Sequence, residues 1–109
     1  MHINILLPHK EKFSNDQASS VSITIANNLK FSKFQNKIKI FGQHVTKPMF
    51  KKNFIEIKNK FSFFKSKNEN LVENMCKIIK KTQMGMKIIE MHNRPYLVEK
   101  VYNKLDNKI

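Results

Sequence analysis

Apolar and polar positions change rhythm several times along the chain, and each change marks an element. Residues 2–7 (HINILL) form a short apolar run stopped by Pro8. Its length and its Ile and Leu content predict a buried strand. Residues 8–15 are polar and irregular and read as a loop. Residues 17–32 carry two patterns at once. Val21 to Ala26 alternates apolar and polar, as a strand does, while Ala18, Val21, Ile25 and Leu29 share one helical face. Helix is the favoured reading, because the apolar face persists too long for a typical strand, and Asp16 is placed to cap it. Residues 37–41 (KIKIF) alternate up to Gly42 and predict a second strand. Residues 44–52, with Pro48, read as a loop, and residues 54–57 as a short strand.

The strongest helix signal follows a basic connection, residues 58–67, that carries Phe61, Phe63 and Phe64. Ser66 and Glu69 have the spacing of a capping box, in which each side chain satisfies the other residue's orphan backbone donor. Leu71, Val72, Met75, Ile78, Ile79 and Thr82 then line one face, and Lys77, Lys80 and Lys81 sit where cations complement the helix dipole. Residues 83–85 then turn the chain, with Gly85 near the expected C-cap. Residues 86–91 (MKIIEM) predict the next strand. Residues 92–94 form a tight connection, and Pro95 suits the first turn of a helix, where its missing donor costs nothing. That helix runs over residues 96–105, with Leu97, Val101 and Leu105 at four-residue spacing. The order β-α-β-(β)-α-β-α predicts an α/β fold: a Rossmann-like parallel sheet with flanking helices.

Composition narrows the choice of partner. At 109 residues the chain is sized for one small domain. Its 21 basic against 8 acidic residues give a net charge of +13, which raises nucleic acid and anionic membranes as partners. Of those 21, 20 are Lys and only Arg94 is Arg. Arg's planar fork is the usual reader of phosphates and guanine edges, whereas Lys is a hydrated point charge. Enrichment in Lys, Asn and Ile together fits a general compositional bias, so nucleic acid is disfavoured and a solvated lysine surface preferred. The single cysteine, Cys76, falls in an apolar stripe, as a small buried thiol does in a reducing cytosol. No signal-peptide pattern opens the chain, and no apolar run approaches the roughly 20 residues of a membrane-spanning helix. His2, His9, His44 and His92 lack metal-ligand spacing, and with only Gly42 and Gly85 there is no phosphate-binding glycine motif.

In open parallel sheets, ligands bind outside the carboxyl ends of the strands. Two connections reach that edge: residues 8–20, after the first strand, and residues 90–95, after the last. The second brings together Glu90, His92, Asn93 and Arg94 just before a helix N-terminus, where anions such as phosphate are favoured. The spacing alone equally allows a local role, with Asn93 as cap, His92 hydrogen-bonded nearby and Arg94 solvated.

The segment IIEMHNRP, residues 88–95, between two helices, resembles the N-terminal domain of family-four glycosyltransferases of the GT-B type. The LLPHKEKFS stretch with the small residues after it looks like the first strand and loop of the same group. The resemblance implies transfer of a sugar from a nucleotide-sugar to an acceptor hydroxyl, with retention or inversion, without a catalytic metal or other cofactor. Residues 1–109 would then be a partial, acceptor-side Rossmann-like domain, the incomplete N-terminal half of a GT-B fold, with the C-terminal donor-binding domain absent. The implied partners are a sugar acceptor, a nucleotide-sugar and the missing half, in the cytosol, with the anionic inner membrane face as a peripheral location. Carried over by position, His92 is the catalytic residue facing the cleft. Asn93 and Arg94 support its turn, Glu90 lies beneath it, and Ser14, Gln17, Ser19 and Ser20 form the first loop. That loop lacks the glycines common there, so close backbone approach to a phosphate is not expected from it. The alternative reading from charge is a basic module that binds nucleic acid or an anionic surface.

Overall fold

The computed structural model describes residues 1–8, 11–14, 16, 20–58, 66–92 and 97–106. Four strands, β1 (His2–Leu6), β2 (Ile38–Gly42), β3 (Phe54–Glu56) and β4 (Lys87–Met91), form one sheet in the order β3-β2-β1-β4. Every pairing is parallel, with Ile3 opposite Ile38 on one side of β1 and opposite Ile88 on the other. Three helices complete the fold: α1 (Ser20–Phe31), α2 (Lys67–Thr82) and α3 (Val98–Asp106). The architecture is the expected α/β one, a parallel sheet with helices on its faces.

Pleat alternation sorts β1 between two cores, since successive side chains point to opposite faces. Ile5 and Leu7 join Ile25, Ala26 and Leu29 of α1, while Leu6 joins Leu71, Val72, Met75, Cys76 and Ile79 of α2 and Leu97 and Val101 beside them. The ambiguous stretch is therefore a helix. Ser22, Ile25, Ala26 and Leu29 bury one side of it and Ile23 stays half exposed, which a strand's alternation would not give. Connection chirality explains the layering. Crossovers between parallel strands are right-handed, so the chain places α1 on one face while moving from β1 toward β3, and α2 on the other when it returns past β1 to β4.

The described part of α1 begins at Ser20, and before it the Asp16 amide donates to Ser14 Oγ at 3.3 Å; the cap bonds expected of the Asp16 side chain fall on residues outside the described ones. The turn expected over residues 83–85 ends α2, with Gln83 at the C-cap. Gln83 holds that position in extended conformation, its N–H bonded to Ile79 O, and Gly85 (φ 84°) turns the chain toward β4. The Gln83 side chain is engaged with the sheet. It exchanges two buried hydrogen bonds with Asn4 on β1: Asn4 Nδ2 donates to Gln83 Oε1 (2.9 Å), and Gln83 Nε2 donates to Asn4 Oδ1 (2.6 Å). At the other end of α2 the predicted cap is present, with Glu69 N–H donating to Ser66 Oγ at 3.1 Å. Phe61, Phe63, Phe64 and Pro95 lie outside the described residues.

Candidate functional site at the carboxyl edge of the sheet

The strand order has one reversal. From β1 the chain builds outward to β2 and β3, then crosses back to lay β4 on the other side of β1. The carboxyl ends of β1 and β4 therefore mark the reversal of strand order, the place where open parallel sheets bind ligands. Leu6, Pro8, Asn68, Met91, His92 and Leu97 line a small recess of about 10 Å³ at this point.

His92 leaves β4 at this edge. Glu90, two residues earlier, shares its side of the strand, and His92 Nε2 lies 2.7 Å from Glu90 Oε2. The His92 side chain is 28% exposed and that of Glu90 51%, so the pair is open to solvent on one flank. An ionised carboxylate only accepts, so Nε2 carries the proton and Nδ1 is left to accept from a hydroxyl. A protonated ring would instead present Nδ1–H to an anion. Glu90 also lines a groove on the α1 face with Ile3, Ile5, Asn28 and Ser32.

Of the other residues singled out by sequence, Gln17, Ser19, Asn93 and Arg94 lie outside the described residues. Ser14 is buried and forms an isolated antiparallel bridge with Pro48, beside a hydrogen bond from Met49 N–H to Phe13 O at 2.9 Å. It is tied to the β2–β3 connection, not to β4. Ser20 is exposed at the start of α1, where its carbonyl accepts from Thr24 Oγ1. The structure thus joins Glu90 to His92 and places Ser14 in a separate hydrogen-bonded cluster.

Three features of this edge escaped the sequence reading. Asn68, on the first turn of α2, lines the His92 recess. Glu11, in the loop after β1, has Oε2 enclosed with no hydrogen-bond partner among the described residues, and such groups are rare in native folds. A second His–carboxylate pair joins His44 Nδ1 to Glu56 Oε1 at 2.6 Å beyond the ends of β2 and β3. That pair had a signal: two strands predicted to be parallel must bring the residues at their carboxyl ends to one edge.

Among the described residues, no three His, Cys, Asp or Glu side chains gather as they would around a metal ion. No described helix is long and apolar enough to cross a membrane. No family model matches the sequence, and neither a curated protein nor a solved structure matches it significantly.

Proposed function

We propose that this chain is the acceptor-side Rossmann-like portion of a GT-B glycosyltransferase. It would carry a sugar from a nucleotide-sugar to an acceptor hydroxyl, with a donor-binding domain supplied from outside residues 1–109. The observation that carries the reading is the position of His92, at the carboxyl ends of β1 and β4 with Glu90 at 2.7 Å. The segment resembling the glycosyltransferase motif thus falls on the edge where parallel sheets bind ligands.

In this reading Glu90 accepts from Nε2–H and so orients the imidazole, leaving Nδ1 to accept from an acceptor hydroxyl. Asn93 and Arg94 support the turn, and the Arg94 guanidinium suits a diphosphate oxygen. Gln17 and Ser19 would belong to the loop that borders the acceptor side, between Ser14, which is held to Pro48, and Ser20 at the start of α1. The outer edge of β4 also fits a sheet that continues. It has no strand partner among the described residues, and Ile89, Met91, Val98, Val101 and Tyr102 line an apolar groove beside it.

The test is an assay of the chain alone, then an NMR titration with nucleotide-sugars and simple sugar acceptors. The expected result is no turnover, with acceptor-induced shifts at the ends of β1 and β4 that disappear in His92→Ala. Robust sugar transfer by the chain alone would overturn the partial-domain reading, and shifts unaffected by His92→Ala would remove His92 from the site.

A further inference from the structure

The end of the sheet opposite His92 has a different chemistry. Because the strands are parallel, their amino ends gather with the α1–β2 and α2–β4 turns and the C-terminal ends of α1 and α2. Four large apolar side chains stand in solvent there: Phe31 (81% exposed), Phe34 (42%), Met84 (88%) and Met86 (68%). Burying any one of them would be favourable, so their exposure asks for a covering partner.

Charge says what kind. Lys30 and Lys33 flank the two phenylalanines, with the Lys30 ammonium 5.6 Å from the Phe31 ring centre and that of Lys33 5.7 Å from the Phe34 ring centre. Lys80, Lys81 and Lys87 flank the two methionines in the chain. Seven of the eight acidic residues lie elsewhere. Glu11 and Asp16 follow β1, Glu56 and Glu90 lie at or near the carboxyl ends of their strands, and Glu69, Glu73 and Glu99 occupy the early turns of α2 and α3.

The two turns are held in place. Phe34 N–H donates to Ser32 Oγ and Phe34 O accepts from Lys37 N–H, while Asn53 Nδ2 donates to Gln35 O and Ile38 O. Met86 O accepts from His2 N–H, and Gln83 is locked to Asn4. The apolar tips are thus presented by braced backbone, which lowers the ordering cost of inserting them.

We infer that the amino end of the sheet docks on an anionic lipid bilayer, with Phe31, Phe34, Met84 and Met86 entering the interfacial region and the surrounding lysines meeting acidic headgroups. Apolar tips ringed by cations match such a surface. Single-stranded nucleic acid is the weaker match: it calls for stacking rings along a groove, and half of these tips are methionines. Docked this way, the His92 edge faces water, about 17 Å from the lipid across five-residue strands. An acceptor reaching it would come from solution.

The test is co-flotation of the full chain with vesicles of phosphatidylcholine, alone or with a third replaced by phosphatidylglycerol. Binding is expected to the anionic vesicles only, and to weaken in high salt. The double variant Phe31→Ser/Phe34→Ser should bind about tenfold more weakly or less still. Met84→Ser/Met86→Ser should also bind more weakly, and Ile23→Ser, an exposed apolar change at the other end, should bind as the parent does. All variants should remain folded in urea titrations, with the larger falls in midpoint at the half-covered Phe34 and Ile23. Equal binding to neutral vesicles, parental binding by the phenylalanine variant, or an equal loss in Ile23→Ser would overturn the inference. So would tighter binding to a single-stranded RNA oligonucleotide that the same phenylalanine substitutions abolish.

Discussion

The two ends of the sheet are built from the same parts, strand termini and the turns between them, yet they hold opposite chemistry. The carboxyl edge collects carboxylates and imidazoles and pairs them locally, as in His92–Glu90 and His44–Glu56. The amino end collects lysines and exposed apolar tips, and its internal bonds go to backbone bracing. A net charge of +13 therefore describes neither end. Total charge says that an anion is attracted; only the topology says to which end, because strand direction decides which residues become neighbours.

The largest expected effect tests how firmly the amino end is braced. Gln83→Leu leaves the buried Asn4 amide without either of its partners and should lower stability by about 2–4 kcal/mol, read as a fall in urea midpoint. Asn4→Leu should behave alike. The double variant should recover much of the loss, since two apolar side chains leave no unsatisfied group. If the ends are independent, the NMR signals of the His92 ring will not move in any of the three.

A smaller effect belongs to the carboxyl edge. Ser66→Ala removes the acceptor for the Glu69 amide at the start of α2, and should cost about 1 kcal/mol, a shift of several degrees in Tm. Because Asn68 on the same turn lines the His92 recess, this variant should also disturb the His92 signals, which Gln83→Leu should not. Equal disturbance by both would erase the distinction between the ends.

The smallest effect is a pH dependence. The Lys100 ammonium, and after it the Ser66 backbone amide, hold the Glu69 carboxyl below the ordinary glutamate range. Lys100 Nζ lies 3.4 Å from Glu69 Oε2 and 3.7 Å from Glu73 Oε1. A lowered folded value means that the unfolded chain takes up the proton first. The contribution is thus complete above the ordinary glutamate range and is lost as pH falls through the lowered value. Glu69→Gln should flatten this part of the acid-stability curve slightly, as measured by urea midpoints across acidic pH.

Burial pushes the Cys76 thiol upward, and at 2% exposure it is closed to reagents. In the native chain it should react with a disulfide reagent far more slowly than in urea, and at the same slow rate in Phe31→Ser/Phe34→Ser, whose changes are confined to the amino end. Faster labelling in that variant would show that the exposed phenylalanines support the core.

Much of the fold was legible because it rests on local rules. The Ser66–Glu69 spacing, the apolar stripe from Leu71 to Ile79 and the alternation of residues 37–41 each follow from backbone periodicity within one element, and each stands where expected. Glu90 and His92 were legible as a cluster because they lie two positions apart in the chain. The exact helix ends were less so. The turn at residues 83–85 was expected, but not that the Gln83 side chain is buried against Asn4, 79 positions away in sequence. The sequence by itself determined the elements and their α/β order, since those depend on spacing along the chain. The tertiary structure alone decided that β4 lies beside β1, that His92 stands where the strand order reverses, and that lysines and exposed phenylalanines share the far end. Pairing between strands is set by which buried faces fit together across long stretches of chain, and no local pattern encodes that choice.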